Sequence, residues 1–193
     1  MAKQIVIIDG HPDPDSSRFC HAIALAYAEA AKAAGHTVRR FDVRHVDFPI
    51  LRTRAEWETG EPVVHVRECQ EAIGSAQHVV LIYPLWLGDL PALLKGFLEQ
   101  VFRPGFAILQ GARTLSPGLL KGKSARIIVT MGMPAFVYRL FFFAHSLSSL
   151  RRNILGFVGF GPVRASIIGS VEAGAEARAK WLERIREHAR RGE

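Results

Sequence analysis

Short apolar runs alternate five times with helical patterns along this chain, and that order leaves few folds open. The strand candidates are 3–9, 37–42, 78–83, 124–131 and 157–168, and the helical patterns that follow them cover 17–34, 62–75, 90–102, 135–152 and 171–190. The third run, His78-Val79-Val80-Leu81-Ile82-Tyr83, is β-branched and apolar without alternation, as in a parallel strand covered on both faces. After Pro91, the residues Leu93, Leu94, Phe97, Leu98 and Val101 recur at helical spacing, with Lys95, Glu99 and Gln100 on the other side. Repeated βα units with right-handed crossovers predict an α/β, doubly wound, five-stranded parallel sheet of order 2-1-3-4-5, with helices on both faces. Such sheets bind ligands at the carboxyl edge, where strand order reverses between the first and third strands. The loops that meet there are 10–17 and 84–89, flanked by the exit of the fourth strand, Thr130-Met131-Gly132-Met133-Pro134.

At 193 residues, 49% of them apolar, with no Ser/Gly-rich or single-charge linker, the chain suits one domain spanning 1–193. Cys20 and Cys69 fall in helical patterns without metal-ligand spacing, so neither a disulfide framework nor a metal site is expected. The opening MAKQIVIIDG reaches Asp9 after four apolar residues, too short for a signal-peptide core. The most apolar region, 127–168, is broken by Arg139, His145, Arg151, Arg152 and Asn153, so no membrane span is expected and the cytoplasm is the expected compartment. The net charge of +7 is mainly arginine, and the six basic residues after position 177 alternate with Glu183 and Glu187, as on a solvated helix face. Only Trp181 stands among them as a stacking aromatic, which argues against nucleic-acid binding. The positive balance favours an anionic ligand instead.

The first loop, Gly10-His11-Pro12-Asp13-Pro14-Asp15-Ser16-Ser17-Arg18, leads into an apolar-periodic helix with Ser16 or Ser17 placed to cap it. A helix start offers unpaired N–H groups and partial positive charge, while Ser17 adds a hydroxyl and Arg18 a bidentate donor, all suited to phosphate. There is neither a GxGxxG fingerprint nor a Walker lysine, so the usual dinucleotide and ATPase loops are excluded. The facing loop exposes Leu85, Trp86 and Leu87, which suit a flat apolar ligand. Tyr138, Phe142 and His145 stand at i, i+4 and i+7 and are expected to share one helical face. Phe141, Phe142 and Phe143 point around most of a helix, so a second copy of the chain is expected to bury part of that run. The connections 43–61 and 103–123 exceed ordinary loop lengths and are candidate binding elements.

Three segments, GHPDPDSSRF, YPLWLGDLPALLKGFLEQVFRPGFA and TMGMPAFVYRLFFFAH, resemble the flavodoxin-like NAD(P)H:quinone oxidoreductases in the same order along nearly the whole chain. The resemblance implies a flavin whose phosphate is held at His11, Ser17, Arg18, Phe19 and Cys20. It implies a ring lying along Pro84, Leu85, Trp86 and Leu87, with further contacts from Thr130, Met131, Gly132 and Met133. Tyr138 matches a tyrosine that assists charge changes on the flavin, and His145 matches its histidine partner at a spacing one residue longer. The implied activity is hydride transfer from NAD(P)H through flavin to a quinone or similar acceptor by a ping-pong mechanism, in a homodimer whose sites lie at the interface. Gly105 stands where FAD-binding relatives can carry a glutamate, yet 43–61 is long enough to cover an adenosine, so FMN and FAD both stay open. A flavodoxin-type electron carrier and a regulatory subunit of a membrane transporter fit the same sheet. A phosphorylated receiver domain does not, because Tyr83-Pro84 occupies the place of its aspartate.

Overall fold

The computed structural model describes residues 1–111 and 118–193. Its strands are β1 (Gln4–Asp9), β2 (Thr37–Asp42), β3 (His78–Pro84), β4 (Ser124–Thr130) and β5 (Val163–Ile168). The helices are α1 (Phe19–Ala33), α2 (Arg54–Thr59), α3 (Val64–Ser75), α4 (Ala92–Val101), α5 (Ala135–Leu140), α6 (His145–Ser149) and α7 (Ala175–Arg190). All neighbouring strands are parallel and the order is β2-β1-β3-β4-β5, as the alternation predicts. Register sets Asp9 beside Asp42 and Ile82, and Pro84 beside Thr130, so these residues share the carboxyl edge. Among the described residues no helix is long and apolar enough to cross a membrane.

The strands lack alternation because both faces are covered. Val6, Ile8, Val79, Leu81, Tyr83, Ile127 and Val129 pack with Cys69 and Ile73 of α3 and with Leu94, Phe97 and Val101 of α4. The intervening Ile5, Ile7, Val80, Ile82 and Ile128 pack with Ile23, Ala24 and Tyr27 of α1 and with Ile185 and Ala189 of α7. At roughly 25 cal/mol per Å² of apolar surface removed from water, these two cores dominate the favourable side of folding. They hold the carboxyl-edge loops on a rigid base.

Three expected boundaries are wrong. Residues 157–162 are not strand: Val158, Gly159 and Phe160 donate to the carbonyls of Ile154, Gly156 and Leu155, closing the helical turns that continue α6. The span 135–152 is not one helix. It breaks after α5 because Phe143 and Ala144 have φ of 52° and 47°, and α6 then runs into a wider π-type turn over Leu150–Gly156. Ser17 does not cap α1; the N-cap is Arg18, with no side-chain cap bond. Of the long connections, 43–61 contains α2, and Arg103 Nη2 donates to Glu56 O at 2.7 Å and Nη1 to Gly60 O, fastening that helix to the end of α4. Part of 103–123 lies outside the described residues.

Candidate functional site

The first loop folds on its own side chains. Asp13 N–H donates to His11 Nδ1 (3.1 Å), Asp15 N–H to Asp13 Oδ1 (2.9 Å) and Ser17 N–H to Asp15 Oδ1 (2.9 Å). Such local bonds let Asp replace the missing backbone partners of a turn. The N–H groups of Phe19 and Cys20, at the first turn of α1, meet no acceptor among the described residues. Those unpaired donors are what an anion would fill. Arg18 is turned onto its own loop, with Nε 2.8 Å from Asp13 Oδ2 and Nη2 3.6 Å from Asp15. It therefore has to leave Asp13 to reach a ligand.

His11 joins the two loops of the edge. It is buried, and its ring meets Trp86 edge-on at 5.6 Å between centroids. Burial, followed by the charge of His21, lowers its pKa below the usual 6.5. Because Nδ1 accepts from Asp13, the ring proton belongs on Nε2, which is free to donate. Beyond it, Pro84 ends β3 and Leu85 N–H donates to Thr130 O at 2.7 Å. Trp86 and Asp89 then pair through two 2.9 Å backbone bonds, with Leu87 and Gly88 at φ of 47° and 80°. Positive φ at both central positions makes a tight hairpin turn and holds the Leu87 side chain in solvent.

The fourth-strand exit is clamped from β5. Met131 N–H donates to Ile168 O (2.9 Å), and Ser170 and Val171 N–H donate to Met133 O (3.1 Å) and Met131 O (3.2 Å). Gly132 is exposed, a Cβ there would meet open space, and the Gly132 and Met133 N–H groups have no acceptor among the described residues. Thr130 Oγ1 lies 3.2 Å from Cys20 Sγ, tying β4 to α1, and burial pushes the Cys20 thiol up to about 12. His11, Ser17, Arg18, Phe19, Cys20, Pro84, Leu85, Trp86, Leu87, Thr130, Met131, Gly132 and Met133 thus all belong to one edge, with Met131 itself buried in the core.

Tyr138 and His145 do not share a face, because the break at Phe143-Ala144 lies between them. Tyr138 is buried, and its hydroxyl accepts from Leu147 N–H (3.1 Å) and meets Ser146 Oγ at 2.8 Å, so it fastens the start of α6. His145 is exposed beside the Phe143 ring, 5.7 Å between centroids. Phe141 and Phe143 are 75% and 68% exposed, and Phe136, Leu140 and Phe142 extend the apolar surface. A separate groove of about 380 Å³ runs between α4 and the 153–158 turn, floored by Leu98, Phe102, Ile108, Ile154 and Phe157 and walled by Trp57.

The sequence reading missed a buried polar network beneath the first loop. Asp9 is fully buried, and its Oδ2 accepts from His21 Nδ1 at 2.8 Å and from Arg40 Nη2 at 3.0 Å. Arg40 also reaches Asp42 (3.3 Å), and Arg44 donates to Asp42 (2.9 Å) and to the Pro14 carbonyl (3.0 Å). Asp9, His21 and Asp42 are close enough to share a cation, but the two guanidinium groups already balance the carboxylates. The signal was an acid closing an otherwise apolar strand, Ile5-Val6-Ile7-Ile8-Asp9.

Comparison with known proteins agrees with this architecture. A model of the flavodoxin-like fold family matches residues 3–191. The human ribosyldihydronicotinamide dehydrogenase [quinone] is 30% identical over 218 residues, covering 95% of this chain and 90% of that protein. An FMN-dependent NADH:quinone oxidoreductase of Nitratidesulfovibrio vulgaris is 28% identical over 190 residues, covering 88% of this chain and 87% of that protein. The solved NAD(P)H:quinone oxidoreductase of Methanothermobacter marburgensis superimposes with a TM-score of 0.79 at 27% identity, covering 98% of this chain and 96% of that one. The chain belongs to the flavodoxin-like fold family.

Proposed function

We propose that the protein is a flavin-dependent NAD(P)H oxidoreductase that delivers two electrons to a quinone or similar small acceptor. The observation that carries the reading is the convergence, across His11, of the unpaired N–H groups at the start of α1 with the apolar Leu85-Trp86-Leu87 hairpin. The groups present suit the cofactor: Phe19 and Cys20 N–H, the Ser17 hydroxyl and Arg18 for phosphate, the apolar side chains of Leu85 and Trp86 for the ring, and Gly132 and Met133 N–H for its polar edge. The flavin supplies hydride acceptance and release, and the protein supplies binding, orientation and charge balance.

The His11 Nε2 proton and the backbone donors would orient the cofactor, with Leu85 and Trp86 as an apolar wall beside it. Tyr138 holds α6 in place, and His145 lies beside the Phe143 ring of the exposed apolar surface. Donor and acceptor would occupy the same apolar space in turn, which makes the kinetics ping-pong. A homodimer is part of the reading, since a second copy would cover Phe141, Phe143 and the groove beside Phe157.

The test is reconstitution and turnover. Titration with FMN and with FAD should show one flavin per chain. Varying NADH or NADPH against a quinone should give parallel double-reciprocal lines. Absence of binding by either flavin at micromolar concentration would defeat the reading, and intersecting lines would defeat its mechanism.

A further inference from the structure

His21 faces an acceptor on each side. Its Nδ1 lies 2.8 Å from Asp9 Oδ2 and its Nε2 3.0 Å from the Asp13 carbonyl oxygen. A carboxylate and a carbonyl only accept, so both bonds form together only if both ring nitrogens carry hydrogen, as in an imidazolium. A proton on Asp9 instead would have to share Oδ2 with the Arg40 guanidinium, 3.0 Å away. That arrangement would neutralise the carboxylate and give up its ion pair with Arg40.

The ring is 95% buried on the third residue of α1, directly after the unpaired Phe19 and Cys20 N–H groups. Around it stand Asp9, Arg40, Asp42, His11, Asp13 and Arg18, with Arg44 on the far side of the loop. By taking the Asp13 carbonyl, as Arg44 takes that of Pro14, His21 turns acceptor oxygens inward and away from the helix start. The Phe19 and Cys20 N–H groups at the start of α1 are then backed by a full positive charge in a poorly screened setting, while the Asp13 and Asp15 carboxylates of the loop are held by Arg18.

We propose that His21 is a positioning residue for the phosphate of the ligand at α1: locked as an imidazolium by Asp9, it fixes the loop's carbonyls inward and adds charge behind the anion site. The inference rests on the flavin reading and extends it to a residue that would not touch the cofactor. The same charge contributes, after burial, to holding His11 below its ordinary value.

Two measurements on the purified protein decide it. With histidine labelled in ¹⁵N, both side-chain nitrogens of His21 should resonate in the protonated range at neutral pH, and those signals should vanish in His21→Gln. Titration with FMN and with riboflavin should then find FMN weakened about tenfold or more in His21→Gln, with riboflavin changed less than twofold. A neutral-imidazole signature in the wild type overturns the proposal without any variant having to fold. Equal losses for the two flavins also overturn it. If wild-type protein binds neither flavin, the functional reading fails, while the ¹⁵N signature still reports the charge of His21 on its own.

Discussion

Replacing Gly169 by alanine tests how firmly the fourth-strand exit is fixed. A Cβ on Gly169 would overlap Ala135 N and lie 2.7 Å from Met133 O and 2.9 Å from the Pro134 carbonyl carbon. All three atoms are backbone, so no side chain can swing aside; the 131–135 segment itself has to move. Overpacking where neighbours can adjust costs about 1–3 kcal/mol, and a site walled by backbone belongs at or above the upper end, about 3 kcal/mol. For a domain of this size, each kcal/mol lowers the melting temperature by about 2–4 °C, so Gly169→Ala should melt about 6–12 °C below wild type. Gly132→Ala is the matched control, because its Cβ meets open space three residues before the same Ala135. Its stability should stay within about 0.5 kcal/mol of wild type, as exposed substitutions do. Urea unfolding with linear extrapolation, alongside thermal melts, measures both. A Gly169→Ala protein melting within about 2 °C of wild type would sink the claim that β5 clamps this loop.

Tyr138→Phe removes the acceptor of the Leu147 N–H and should cost about 1–3 kcal/mol in urea unfolding, the penalty of a buried donor left unpaired; an unchanged midpoint would show that α6 is anchored elsewhere. Burial, then the charges of Lys3, Arg126 and Arg164, lower the pKa of His78 from 6.5 to about 3. The unfolded chain therefore takes up this proton first, so the stability from neutral His78 is complete above about pH 6.5 and is lost as pH falls toward 3, at up to about 1.4 kcal/mol per pH unit. His78→Val should lose that acid slope in a pH series of denaturation curves, and an identical slope would refute the assignment. Phe141→Asp should leave the monomer's stability nearly unchanged, because the ring is exposed. At about 25 cal/mol per Å² over the order of 150 Å² of a phenylalanine ring, it should weaken self-association by about 4 kcal/mol in sedimentation equilibrium. A wild-type chain that stays monomeric at assay concentration would remove the interface from the proposal.

The sheet was legible because its signal is repeated. Five apolar runs, each followed by a helical period, specify parallel strands, and Ile5 and Val6 falling into opposite cores is what an unbroken run demands. The loop at 84–89 was legible because an apolar run between strand and helix stands out there; Leu85 packs on the core while Trp86 and Leu87 stay exposed. The region 135–160 misled because apolar density there reflects surface and turn residues as well as core. Phe143 and Ala144 take left-handed conformations that no local residue preference announces, and Gly159 at φ 109° closes a turn where a strand was expected. Of the Asp9–His21–Arg40 network only Asp9, closing an apolar strand, left a mark in the sequence; its partners stand 12 and 31 positions away, and only the β1–β2 register and the return of α1 bring them together.

The buried bond between Cys20 and Thr130 bears on chemical durability. Quinones are electrophiles as well as oxidants, and a thiolate within reach adds to them irreversibly. Burial pushes the Cys20 thiol up to about 12, so it stays protonated at neutral pH. Cys69, the second of the two cysteines in the sequence, is equally buried and shifted in the same direction by burial. Neither cysteine therefore presents a thiolate to an electrophile while the chain stays folded.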